Sequence, residues 1–536
     1  MDLIPNVLLE GHMNRREFLK LISAASAAFI GGVSTKGCVL KRNVNQPRLV
    51  LLYVPCTVNK YFFSPYNFNV NYTPYVNRFA AKSAIFDNFQ LDSEQSGPSY
   101  ASLFSGCGAD LHGVFEHPRK LNDDILLISE WFAQDGYDVY FWGDHQMANY
   151  NLNYGQGVHP DKAFSYKLEA HDTVFENILN NISSKKNYKA FIITNFTVTH
   201  GIYPPVSINH LSEKPDQRQM ENFWSLNCLP DDLKASGLTA DELDRYGRLL
   251  SEQKFLSIAY EFDELVNRLK LNVEEKTKFI KTIEYTYKVD IARLDRLFGR
   301  VINKIEEQNL LDNSLIVFTA DHGETMHREG IFFKYNHGYE LAPEVLTVPL
   351  IIRGSSVGIS AGHYTPVVRS IDLFPTIAGL CEIPVPQKYG LQGTDLSGVL
   401  KGLQRPPLLP AYSHTCLIHY LLLPLINQWP ILSTLYPDRD PELMWVSVRY
   451  GDEVFKWAKY DLNNPVFNPA MFNLKSDAYE RNNLFDASNE KHQKVIEDLK
   501  AYKMRLVDAC KEWDKKAGGI SEEERINRLQ SLGYLQ

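Results

Sequence analysis

The chain has 536 residues, 44% of them hydrophobic and 22% charged, a globular composition long enough to bury a large core. A net charge of −8 argues against a nucleic-acid binder, which would carry a basic face. No solenoid or propeller period recurs along the sequence.

In chain order, the first signal is Arg15-Arg16 ahead of a short apolar, small-residue run over 21–33, which reads as a twin-arginine-type export signal within 1–38. The run is shorter than the ~20 residues a membrane-spanning helix needs. Cys38 follows Gly37 and is a candidate lipidation site, so attachment to a membrane surface is one expectation. The expected location is outside the cytoplasm, in the periplasm or anchored on the outer side of a bacterial cytoplasmic membrane. The other cysteines form no CxxC pair, which argues against zinc knuckles and thioredoxin-type motifs.

Residues 48–54 are a continuous apolar run ended by Pro55, as in a buried parallel strand. Residues 126–134 read as a helix, and 137–142, 189–198, 315–320 and 348–352 as further strands. Long helical patterns occupy 251–271 and 274–308, and 207–250 reads as a polar insertion. Strands alternating with helices imply an α/β fold with a mostly parallel sheet, in which ligands bind beyond the carboxyl ends of the strands. From about Pro407 the segments shorten, with a strand pair at 445–449 and 454–460, so 406–536 is expected to be a smaller α+β subdomain behind a catalytic domain over 48–405.

The chemistry sits at those strand ends. The strand over 315–320 runs into Asp321-His322-Gly323-Glu324, a carboxylate beside an imidazole at a sharp turn, which suits a divalent metal. Asn336-His337-Gly338-Tyr339 follows, then Glu344 to Arg353, Ser370 to Ile377, Asn473 to Asp477 and the closing Leu529 to Tyr534. In order and spacing these phrases resemble the sulfatase-like branch of the alkaline phosphatase superfamily across roughly 48–536. That resemblance implies an α/β/α sandwich, a sulfate- or phosphate-ester substrate and a divalent metal, zinc or calcium.

The family's nucleophile segment has the form (Cys/Ser/Thr)-x-Pro-Ser-x-Ala-Ser-Leu-x-x-Gly, and Ser96 to Gly106 matches it. The match puts Ser96 at the nucleophile, with a helix cap as the alternative role and Ser99 as a weaker candidate. By the same resemblance His200 would touch substrate and His337 would protonate the leaving oxygen. Lys334 would pair with anionic oxygens, and His145 and Tyr100 would lie in the substrate site. Two departures stand out. Tyr100 replaces the Arg or His expected after Pro-Ser, so formylglycine is not expected at Ser96. Val54-Pro55-Cys56-Thr57 replaces the metal-binding acids of the first strand, so the metal site is either altered, with Asp321, His322 and Cys56, whose thiolate favours zinc over calcium or magnesium, or lost. The expected substrates are small-molecule, glycan or lipid sulfate or phosphate esters. The alternatives are a catalytically impaired binding protein and a phospho-group transferase or phosphodiesterase.

Overall fold

The computed structural model describes residues 46–143, 145–165, 171–200, 237–253, 258, 262–328, 334–335, 337, 341–385, 389–415, 445–458 and 469–516. The export segment with Cys38, residues 207–236 of the insertion and the closing phrase at 529–534 lie outside them.

Leu49–Tyr53 (β1) is buried at every position, as a strand flanked on both sides must be. It lies between Ala190–Asn195 (β5) and Ser314–Phe318 (β6), parallel to both. With Ala84–Gln90 (β2), Asp138–Gly143 (β3), Ala163–Ser165 (β4), Thr347–Arg353 (β7) and Gly362–Arg369 (β8), the eight-stranded order is β4-β3-β5-β1-β6-β7-β2-β8. Only β7 opposes its neighbours, pairing antiparallel with β6 and β2. The sheet is therefore mostly parallel, and β3, β5, β1 and β6 deliver their carboxyl ends to one edge.

Helices Ser96–Ser105 (α1) and Ile128–Gln134 (α2) pack on each other, while Ala240–Ser251 (α3) packs on Val273–Glu307 (α4). Asn272 caps α4 by accepting from the Glu275 N–H, and Glu275 returns the bond. Phe298 of α4 packs its ring 5.2 Å from Tyr53 and 4.9 Å from Phe318, tying the helix to the middle of the sheet.

Thr239 and Glu242 form a capping box that starts α3 at Ala240, and α3 ends at Ser251, so the segment expected as an insertion is helical at its close. Within the pattern expected to be helical over 251–271, the described residues form the helix Phe262–Arg268.

A second sheet orders Ala470–Asn473 (β12), Glu453–Ala458 (β11), Trp445–Tyr450 (β10) and Ala411–Thr415 (β9), antiparallel throughout. Helix Glu490–Lys516 (α5) covers it through Ile496, Leu499, Tyr502 and Leu506, making a separate small core with Val446, Val448 and Phe455.

Candidate functional site

The chain leaving β1 is held from several sides. The Cys56 N–H donates to the Phe196 carbonyl (2.7 Å), the Val58 N–H to the His322 carbonyl (2.7 Å), and the Thr199 hydroxyl to the Cys56 carbonyl. Tyr287 of α4 donates its hydroxyl to the Thr57 carbonyl (2.9 Å) and accepts from the Asn59 N–H (2.8 Å). These bonds hold Thr57 at φ +61°, a left-handed conformation that a β-branched residue adopts only when its surroundings impose it. The turn aims the Cys56 sulfur into the site.

Helix α1 begins at Ser96, which is buried. Its next residues fasten the helix: Ser99 donates to the Asp321 carbonyl, and Tyr100 donates to the Val54 carbonyl (3.2 Å). Gly106 ends the helix at φ +67°, where a side chain would be strained.

At the end of β6, Asp321 Oδ1 accepts the Thr57 N–H (3.1 Å) and the His322 N–H (2.8 Å), while its buried Oδ2 accepts no hydrogen bond. His322 Nδ1 lies 2.9 Å from the Gly323 carbonyl, which can only accept, so Nδ1 carries the proton and Nε2 keeps its lone pair. That Nε2 is 3.0 Å from Ser96 Oγ, 3.6 Å from Cys56 Sγ and 3.6 Å from Asp321 Oδ2. His145 has the opposite tautomer. Its Nδ1 accepts the Met147 N–H (3.1 Å), so Nε2 bears the proton, 3.3 Å from Cys56 Sγ and 3.9 Å from Asp321 Oδ2.

His337 stacks on His322 with ring centres 4.1 Å apart, and its Nδ1 is 3.3 Å from Glu324 Oε2. His200 meets His337 edge-on at 5.5 Å. Burial first, then repulsion from His145, His337 and His322, holds His117 well below the usual imidazole range, so His117 belongs to the same cluster.

Burial dominates the electrostatics. It pushes His145 and His322 down to about 3 and His337 to about 4, so all three imidazoles are neutral near pH 7. It raises Glu324, whose carboxyl holds its proton above the usual range. Burial, then the charge of Asp321, raises Cys56 well above the ordinary thiol, so its sulfur ionises only beside a cation.

The donors decide which ion fits. Calcium takes six to eight oxygens, and among the described residues this centre offers one free carboxylate oxygen beside the Ser96 hydroxyl, a poor match to a calcium-type ion. A sulfur, an imidazole lone pair and an unpartnered buried carboxylate oxygen fit a thiophilic divalent ion.

Ser96, Cys56, His145, Asp321, His322, His337 and His200 thus come together. Lys334 does not join them: its ammonium pairs with Asp263 at 2.6 Å. Tyr100 spends its hydroxyl on backbone and presents a ring edge to His145 at 5.4 Å. Sequence reasoning missed the role of Glu324, although it stands in the motif that was read, and missed His117, which no motif flags.

Comparison with known proteins bears on this centre. Residues 57–383 match the Sulfatase family model. Arylsulfatase K of Gallus gallus is 23% identical over 371 residues; the chain spans 65% of that protein, just under two thirds, and the match covers 65% of this chain. An N-acetylglucosamine-6-O-sulfatase of Bacteroides thetaiotaomicron is 23% identical over 485 residues, covering 81% of this chain and 82% of that protein. Among solved structures, one described as a complex with its substrate D-glucosamine-2-N,6-O-disulfate superposes with a TM-score of 0.60 at 19% identity, over 86% of this chain and 98% of its own, a likeness of fold.

Proposed function

This chain belongs to the sulfatase family, and on that premise we propose that it hydrolyses sulfate monoesters, with sulfated sugars as the substrate class and an unmodified Ser96 as nucleophile. The observation that carries the reading is the 3.0 Å approach of Ser96 Oγ to His322 Nε2, in a buried centre that also holds Asp321 and Cys56. The sugar class is supported by the relative named for N-acetylglucosamine 6-sulfate chemistry.

A divalent ion held by Cys56, Asp321 and His322 would supply charge to stabilise the ionised Ser96 oxygen and the sulfuryl oxygens. In the reaction Ser96 gives up its hydroxyl proton to solvent as its oxygen ionises, and the Ser96 Oγ–S bond then forms as the ester S–O bond breaks. The protonated Glu324 passes its proton to Nδ1 of the neutral His337 as the proton on His337 Nε2 goes to the departing oxygen. Water then attacks the sulfur held on Ser96, which frees sulfate and restores the hydroxyl. His200, edge-on to His337, sits where it can contact the leaving group.

Ser96→Ala is expected to abolish hydrolysis of aryl and sugar sulfates with an almost unchanged thermal midpoint. The capping role expected as the alternative is not the one the structure gives: Gln95 is the N-cap and Ser96 the first helical residue, so retained turnover in this variant would refute the nucleophile outright. Faster turnover of phosphate esters than of sulfate esters would move the assignment to phosphoester chemistry. Export belongs to the same reading: changing Arg15 and Arg16 to Lys should keep the protein in the cytoplasm, and normal export of that variant would refute the signal.

A further inference from the structure

Resting on the sulfate-ester reading above, we propose that this centre selects a zinc-class ion. Cys56 Sγ, Asp321 Oδ2 and His322 Nε2 are its ligands, Ser96 Oγ stands at the fourth position, and His145 holds the Cys56 sulfur from outside.

Each assignment follows from which atoms have lone pairs to give. His322 Nε2 has one, because its Nδ1–H is committed to the Gly323 carbonyl. Asp321 Oδ2 is buried without a hydrogen bond, although Oδ1 accepts two. An orphaned carboxylate oxygen is costly in a protein interior unless a cation meets it. Cys56 supplies the third donor. Cys56, His145 and Asp321 also offer atoms within 4.8 Å of one another, so His145 is the competing third ligand. Its tautomer decides against that role: with Nδ1 accepting from Met147, Nε2 points a proton at the sulfur, 3.3 Å away. A thiolate gains from such a donor, and Tyr100 buttresses the ring that carries it.

The spacings agree. Four-coordinate zinc, with Zn–S at ~2.3 Å and Zn–N or Zn–O at ~2.0–2.2 Å, separates neighbouring ligand atoms by roughly 3.3–3.6 Å. The separations here are 3.6 Å from Cys56 Sγ to His322 Nε2 and 3.6 Å from Asp321 Oδ2 to His322 Nε2. Ser96 Oγ lies 3.7 Å from the sulfur and 3.0 Å from His322 Nε2. Three protein ligands with the reacting oxygen fourth is the arrangement of an open catalytic zinc site.

The test uses the full chain stripped of metal, equilibrated with equal Zn2+ and Ca2+, desalted, and assayed for metal. Stoichiometric zinc without calcium is expected. Loaded with Co2+, the protein should show a near-ultraviolet sulfur-to-cobalt absorption band. Cys56→Ser should remove that band and weaken Co2+ binding more than tenfold. Cys56→Asp provides a second variant with a charged oxygen ligand in place of sulfur: it should lose the band and shift retention toward Ca2+. His145→Gln should keep the band and weaken binding by about 10–100-fold. Retained calcium, loss of zinc on desalting, or a band that survives Cys56→Ser would overturn the inference. Unchanged affinity in His145→Gln would overturn the role of that ring. A zinc-retaining protein that hydrolyses no ester refutes the function proposed above and leaves the zinc site standing. Sulfate-ester hydrolysis supported by calcium does the reverse.

Discussion

Asp92, just beyond the end of β2, accepts from the hydroxyls of Ser102 and Ser370, and Ser102 is 2.9 Å from His112 Nε2. Burial outweighs those bonds and pushes its carboxyl up to about 7. A carboxyl raised from its unfolded value near 4 adds stability that is full below that value and lost as pH rises through about 7, at ~1.4 kcal/mol for each pH step of one between the two values. Asp92→Asn should therefore raise the thermal midpoint at pH 8.5 and leave it unchanged or lower at pH 5, a comparison that a pH series of melting curves provides. Tyr287 gives a second test at this scale. Tyr287→Phe strands the Thr57 carbonyl and the Asn59 N–H, which should cost roughly 2–4 kcal/mol in urea unfolding. At the residue scale the sequence was legible where chemistry is local. Ser96 lies in a contiguous nucleophile phrase, and Asp321 and His322 adjoin at a strand end. The substrate role first expected for His145 came from a loose phrase that carries no information about tautomer, and the hydroxyl that fixes the Cys56 turn comes from a helix more than two hundred residues away. Lys334 pairs with Asp263, a partner set by folding that the local sequence does not show.

At the element scale, the buried strands β1, β3, β5, β6 and β7 were readable because strands covered on both faces are apolar throughout. The edge strand β8 escaped notice: its first residues are exposed and Pro366 interrupts it, so it carries neither an apolar run nor a clean alternation. The orientation of β7 was equally hidden, since an apolar run looks the same in either direction. The turn after β6 supplies the sharpest prediction here. A Cβ on Gly323 would lie 2.1 Å from the Glu344 carbonyl oxygen, where neighbouring backbone cannot yield cheaply. Gly323→Ala should displace Asp321 and His322 from their partners and destabilise by roughly 1–3 kcal/mol or more, with loss of metal retention alongside the lower midpoint.

At the scale of the whole molecule, the two sheets are joined by polar contacts as well as by chain. Arg449 of β10 donates to Asn88 (2.7 Å) and Gln90 (3.3 Å) of β2, and the His414 N–H donates to the Asp92 carbonyl (2.8 Å). Removing the guanidinium leaves the buried Gln90 and the half-buried Asn88 without that donor, so Arg449→Ala should cost roughly 1–3 kcal/mol and broaden thermal unfolding as the small core melts apart from the large one. The division near residue 406 was visible in the sequence as a change in segment length and proline content; the bonds across it were not, because they join residues hundreds of positions apart. The function proposed for this molecule turns on its breaking sulfate esters through Ser96 itself. Acid quenching during turnover of an aryl sulfate, followed by mass spectrometry of the peptide that carries residue 96, tests it directly. The expected result is a sulfate-bearing serine that disappears on chase with unlabelled substrate and is absent from Ser96→Ala. Formylglycine at position 96, or turnover with that serine never sulfated, would contradict it.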